Sequence, residues 1–334
     1  MKRYSLNPVL SFQQVPFPST LTFNAGVVRH SGRYVMVFRN DYGRQGDYIF
    51  DGTNIGLAFS KDGVTWAVEP EPILYHTEIL AEFERLLGRP CAPGFLKRIY
   101  DPRLTIVDER VYMCFAIDTA HGICGGIATT DDFRRFRWLS VTAPDNRNMV
   151  LFPRRINGHY VRLERPFPVY NRSNPEAFPI WSAQSPDLVY WGKHRPVLGA
   201  DEVPYANSKI GPAAPPIETP RGWLVTIHAV HNNPARRLKG WEPNGWYKTY
   251  FAGLMLLDLQ DPSRVIGLMR TPLLAPQEAY EVDGFRGGVI FPCGLILEDS
   301  GEVKMYYGAA DTVVALATAH VDDLLSQCVP LQQH

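Results

Sequence analysis

Long apolar runs are missing from this chain. Nowhere do about 18 consecutive apolar residues occur, the length a helix needs to cross a bilayer, and Lys2-Arg3 precede no apolar segment of the secretory kind. Excess charge is missing too: 34 basic residues face 34 acidic ones. No global field therefore recruits nucleic acid or an anionic membrane, and any anion site must be a local cluster. The expectation is a cytoplasmic protein with no nucleic-acid and no membrane partner.

Cysteine is scarce and unpatterned. Cys91, Cys114, Cys124, Cys293 and Cys328 are odd in number, widely spaced and without a C-x-x-C pair, which predicts reduced, buried thiols rather than a disulfide framework or a metal cluster. Phosphate loops of the G-x-x-x-x-G-K-[ST] type, G-x-G-x-x-G turns, H-E-x-x-H helices and G-x-S-x-G elbows are absent as well. His228 and His231 lie three apart with no third ligand in view, so no metal is expected.

Long amphipathic helices are also rare. Helical spacing of apolar residues is confined to Thr77–Leu87, where Ile79, Leu80, Phe83 and Leu86 recur, and to Val321–Cys328. With 27 Gly, 28 Pro and 12% aromatics, the remainder describes short strands joined by turns. A strand pair recurs five times: residues 26–29 with 34–38, 104–107 with 111–115, 149–152 with 160–163, 214–217 with 223–227, and 289–297 with 303–307. A third strand follows each pair, at 55–60, 125–129, 180–184, 252–257 and 314–319, and runs into a polar turn. One such unit cannot bury both faces alone and needs neighbours around a ring. The predicted fold is all-β: a single five-bladed β-propeller over residues 1–334, with short helices at the periphery and termini.

In a propeller, side chains from distant blades converge at one mouth of the central channel. The second strands end in polar groups suited to that place: Arg39-Asn40-Asp41, Asp118, Arg165, His228 and Asp311. Arg147 and Lys209 add cations, and a planar guanidinium fork with an ammonium point charge suits a phosphate dianion. The segment Arg98-Ile99-Tyr100-Asp101-Pro102-Arg103 sets one carboxylate between two arginines and beside an aromatic ring, with proline restricting the backbone. Two tryptophans between Trp241 and Tyr247 supply aromatic planes on which a sugar ring stacks, or the packing of a loop hinge.

Taken together, Phe23-Asn24-Ala25-Gly26, Tyr100-Asp101-Pro102-Arg103, Leu151-Phe152-Pro153, Leu163-Glu164-Arg165-Pro166, Lys209-Ile210-Gly211-Pro212 and Tyr306-Tyr307-Gly308-Ala309-Ala310-Asp311 give a chain that resembles glycoside hydrolase family 130, the five-bladed mannoside phosphorylases. The run from Arg147 to Gly158 looks most like the branch acting on mannosylglucose. The resemblance implies inverting phosphorolysis with Asp101 as the one working acid, reaching the glycosidic oxygen through the mannosyl 3-hydroxyl. By motif, Arg147, Arg165, Lys209 and His228 would hold phosphate. Asn24, Asn40, Asp41, Arg44, Tyr100, Arg103 and Asp311 would hold the sugar.

The reaction so implied is 4-O-β-D-mannosyl-D-glucose plus phosphate to α-D-mannose 1-phosphate plus glucose. Its partners are a disaccharide and inorganic phosphate as co-substrate, with no other cofactor, and a homo-oligomer is left open. Alternatives are phosphorolysis of β-mannooligosaccharides or mannosyl-N-acetylglucosamine, a β-mannoside hydrolase with Glu164 or Glu281 as its second acid, and a sugar-binding propeller without catalysis. To stay protonated near neutrality, Asp101 would need burial or another carboxylate beside it.

Overall fold

In a computed structural model, described over residues 1–43, 50–74, 76–167, 176–236 and 246–331, the strands form five antiparallel sheets in the arrangement of a five-bladed propeller. The sheet of blade one runs Leu21–His30, Arg33–Tyr42, Gly52–Ser60 and Ala67–Val68 from the inside outward. Blade two uses Leu96–Val107, Arg110–Thr119, Gly122–Thr130 and Arg137–Val141. Blade three follows with Asn146–Leu151, Tyr160–Pro166, Ile180–Ser185 and Gly192–Leu198.

The inner edge of blade four is split between Ile210–Pro212 and Ile217–Thr219, both paired with Gly222–Asn232, beyond which lie Lys248–Leu257 and Val265–Leu268. The continuous inner strand expected at 214–217 is therefore corrected: Pro215 and Pro216 have no N–H for the ladder. Blade five comprises Ile290–Leu297, Glu302–Ala309 and Val313–His320, and its outer strand is the N-terminal pair Lys2–Arg3. The ring is thus closed by the start of the chain. Glu281 secures that closure, fully buried, by taking both a 2.7 Å ion pair from Arg3 and a 2.8 Å hydrogen bond from the Tyr307 hydroxyl.

The apolar cores lie between blades. Val37, Leu57, Met113 and Phe115 join blades one and two, and Leu163, Ile180, Val225 and Met255 join blades three and four. The helix His76–Leu87 covers the first of these with Ile79 and Phe83, the latter edge-on to Trp138 at 5.8 Å. The terminal helix Val321–Gln327 covers the junction of blades four and five with Leu324 and Leu325.

Third strands of three blades end in the same turn. In Ser60-Lys61-Asp62, Thr130-Asp131-Asp132 and Ser185-Pro186-Asp187 the hydroxyl donates to the aspartate, which accepts the backbone N–H groups two and three residues further on. That geometry explains why a polar turn punctuates the repeat. All five cysteines are free, and no helix of the described residues is long and apolar enough to cross a membrane.

Candidate active site

The inner strands of blades one to three each carry an irregularity near their start, between Phe23 and Gly26, Tyr100 and Arg103, and Arg147 and Val150. At each, one residue adopts a left-handed backbone: Asn24 (φ 49°), Asp101 (φ 54°) and Asn148 (φ 57°). Asn and Asp tolerate this region better than most residues, and a bulge re-aims the side chain it carries. All three side chains line a single cavity of about 250 Å³.

Starts of first strands and ends of second strands share this rim. Arg39, Arg165 and His228 come from second strands, and Asp311 (φ 48°) follows the second strand of blade five. Asp101, Arg147, Arg165, Lys209, His228, Asn24, Tyr100 and Asp311 are therefore brought together from all five blades.

Cations crowd one part of the cavity. Arg147, Arg165, Lys209 and His228 line it together with Lys248, and among the described residues the Nε atoms of Arg147 and Arg165 and Nδ1 of His228 are buried without a hydrogen-bond partner. Burial, reinforced by Arg165, Lys248 and Arg147, pushes the Lys209 ammonium well below its usual range. Burial and Arg165 do the same to His228. Arg165 points a nitrogen at Nε2 of His228 at 3.3 Å; guanidinium only donates, so this imidazole nitrogen accepts. Lys248 is steadied by Glu176 at 2.9 Å, which also accepts from Ser208.

Asp101 is 7% exposed and takes a 2.9 Å hydrogen bond from Nδ2 of Asn24. Arg39 approaches the same oxygen at 3.4 Å, and Arg103 donates to the Asp101 carbonyl at 3.1 Å. Burial works to raise the carboxyl's pKa, but Arg39, Arg103 and the Asn24 hydrogen bond outweigh it, and the net shift is downward. Burial is thus present, as the sequence required, but does not by itself keep the free acid protonated. Asp311 shifts upward, through burial and the nearby Asp101 against the pull of Arg286, its partner at 3.1 Å.

Other expected sugar ligands lie behind the wall. Asn40 is fully buried and spends its amide on the Pro18 carbonyl and Asn54. Asp41 is clamped by Arg39, with a 2.6 Å contact, and by Thr53. Arg103, 1% exposed, donates to the Ala213 carbonyl at 2.5 Å and lies over the Phe291 ring. None of these three lines the cavity; they support residues that do. Arg44 and Trp241 fall outside the described residues. Trp246 does line the cavity, stacked on Tyr250 and donating its indole N–H to the Gly287 carbonyl at 2.8 Å.

Several lining residues carried no sequence signal of their own: Phe50, Lys248, Tyr250, Phe285, Arg286 and Phe291. Arg39 was visible as a strand-end cation, but its place between two aspartates depends on the meeting of two blades. Glu164 and Glu281, the spare acids, are engaged elsewhere. Glu164 pairs with Arg162 at 2.6 Å and with His194, and Glu281 closes the ring. Among the described residues no three His, Cys, Asp or Glu side chains gather as a metal ligand set.

Comparison with known proteins agrees with this geometry. A family model described as beta-1,4-mannooligosaccharide phosphorylase matches residues 3–329. The beta-1,4-mannooligosaccharide phosphorylase of Ruminococcus albus is 33% identical over 329 residues, covering 97% of this chain and 89% of that protein. The 4-O-beta-D-mannosyl-D-glucose phosphorylase of Bacteroides fragilis is 24% identical, covering 99% and 81%. The structure of beta-1,2-mannobiose phosphorylase from Listeria innocua in complex with beta-1,2-mannobiose superposes with a TM-score of 0.78 at 26% identity, over 98% of both chains. With the five blades, the cation-rich cavity and a family match along nearly its whole length, the chain belongs to glycoside hydrolase family 130, the mannoside phosphorylases.

Proposed function

We propose that the chain catalyses inverting phosphorolysis of a β-mannoside, releasing α-mannose 1-phosphate and the sugar to which mannose was linked. The observation that carries this reading is the buried cation group of Arg147, Arg165 and Lys209, which line one cavity together. A phosphate dianion satisfies those donors; a water nucleophile has no use for them and calls for a second carboxylate instead. Neither Glu164 nor Glu281 lines the cavity, and Asp311 is engaged by Arg286.

In this reading phosphate rests on Arg147, Arg165, Lys209 and Lys248, with His228 steering Arg165 through its accepting nitrogen. The mannosyl unit lies towards Asn24, Arg39, Asp101 and Asp311. Asp101 passes a proton to the mannosyl 3-hydroxyl, which gives its own to the glycosidic oxygen as phosphate attacks the anomeric carbon from the opposite face. Asp101 is held low in the free cavity by its cationic neighbours. A bound dianion offsets those cations and raises the carboxyl towards the protonated form that the step requires. Phosphate is the co-substrate, and no other cofactor enters the scheme.

For the leaving sugar, the Ruminococcus albus relative is named for β-1,4-mannooligosaccharides and the Bacteroides fragilis relative, at lower identity, for 4-O-β-mannosylglucose. We favour a β-1,4-linked mannoside, with mannose ahead of glucose as the sugar released. The test is turnover of β-1,4-mannobiose, β-1,2-mannobiose and 4-O-β-mannosylglucose with and without phosphate. Mannose 1-phosphate should form only with phosphate; equal sugar release in phosphate-free buffer would overturn the reading.

A further inference from the structure

Asp118 ends the second strand of blade two, opposite Arg98 in the ladder, and does not line the cavity. Its two oxygens are divided. Oδ2 accepts from Nε of Arg98, whose side chain is 42% exposed, and Oδ1 accepts from the Tyr100 hydroxyl at 2.7 Å. That hydroxyl in turn accepts from Arg147 at 3.3 Å. Tyr100 is 2% exposed, with its ring held between the guanidinium groups of Arg39 and Arg98 at 5.0 and 4.9 Å.

We propose that Asp118 is a positioning residue for phosphate binding, acting through the Tyr100 hydroxyl on Arg147. The inference rests on the reading that Arg147 holds phosphate. A phenol has one proton to give. By taking it, the Asp118 carboxylate turns the oxygen lone pairs of Tyr100 towards Arg147 and fixes one edge of that guanidinium. The remaining guanidinium donors of Arg147, which lines the cavity, are left for an incoming ligand. Burial pushes the Tyr100 phenol up to about 12, so it keeps the proton that the relay needs. Tyr100 thereby belongs to the phosphate side of the cavity through its hydroxyl, although its sequence context suggested a sugar contact.

The test is calorimetric titration of inorganic phosphate into wild type, Asp118→Ala, Tyr100→Phe, their double variant and Arg147→Ala, with steady-state kinetics on the β-mannoside that is turned over. Asp118→Ala, which removes the acceptor of the Tyr100 hydroxyl, and Tyr100→Phe should each weaken phosphate about tenfold, the worth of one hydrogen bond to a charged group. The double variant should be no weaker than either alone, because both remove the same relay. For the Asp118 variant, whose residue does not line the cavity, KM for the mannoside should stay put and kcat at saturating phosphate should hold within about twofold. Tyr100→Phe keeps the ring and the Arg98–Asp118 pair, so it separates the relay from simple neutralisation of Arg98 and from misfolding.

If Arg147→Ala weakens phosphate while Asp118→Ala and Tyr100→Phe leave it unchanged, the relay is refuted and the phosphate site stands. A wild type that binds no phosphate removes the site and the relay together. Equal losses in KM for both substrates would make Asp118 a general structural residue and overturn the proposal.

Discussion

Asn24 donates a 2.9 Å hydrogen bond from its amide to the carboxylate of Asp101, 77 residues away on the neighbouring blade. Both residues hold left-handed backbones at bulges of inner strands. The acid is therefore aimed by two local distortions that meet only when blades one and two pack. The other edge of Asn24 faces Gly308 on blade five, where a Cβ would overlap its side-chain oxygen.

Asp101→Asn should lower kcat by about 10²–10⁴-fold, the usual contribution of a positioned general acid. Asparagine accepts the left-handed backbone at this position, so the variant should still fold, its melting temperature lowered by the loss of the ionised carboxylate's contribution. Steady-state kinetics beside a thermal melt decides it: a variant that keeps most of its rate places the acid elsewhere.

Gly308→Ala should act at a distance on the same acid. The added methyl group meets Asn24 and displaces the amide from Asp101. A drop in kcat that Asn24→Ala reproduces, with no further loss in the double variant, is expected. Additive losses would show that Gly308 and Asn24 act independently.

Two carboxylates of one cavity should show opposite pH signatures in stability. Asp101 titrates below its ordinary value of 3.8 in the folded chain, so its ionised form contributes stability above that pH, lost as pH falls through the folded value. Asp311 titrates above 3.8, so ionisation costs stability as pH rises past that point. Unfolding measured by denaturant at several pH values should find Asp101→Asn more costly at pH 6 than below about 3.8, and Asp311→Asn less costly at pH 6 than in acid. The same trend in both variants would contradict the opposite shifts.

Arg3→Ala should destabilise by about 3–5 kcal/mol, because it leaves the buried Glu281 without its ion-pair partner. Arg3→Ala with Glu281→Gln should recover part of that loss by removing the stranded charge. Urea midpoints at constant slope give both numbers. A loss below about 0.5 kcal/mol, the scale of an ordinary surface change, would mean that the N-terminal strand does not close the ring.

Strand alternation and polar turns are local properties, and they determined the five blades. The Ser/Thr-x-Asp turns at Asp62, Asp132 and Asp187 need only neighbours in sequence. Residue chemistry likewise marked Asp101, Arg147, Arg165 and Lys209. What sequence could not decide was which charges meet. Asn40 and Asp41 looked like sugar ligands beside Arg39, yet strand alternation turns Asn40 into the wall, and Asp41, on the same face as Arg39, is taken up by that guanidinium and Thr53.

Glu164 and Glu281 looked available until Arg162 and Arg3 arrived, one from the same strand and one from the far end of the chain. The inner strand of blade four broke at prolines that pattern alone had absorbed into a run. Lys248 and Arg286 enter the cavity only because the ring closes. Composition and period specify the blades, since their ladders pair strands that are neighbours in sequence, the N-terminal strand of blade five excepted. The site belongs to the tertiary structure, since bulges set the direction of its side chains and ring closure sets the distance between charges.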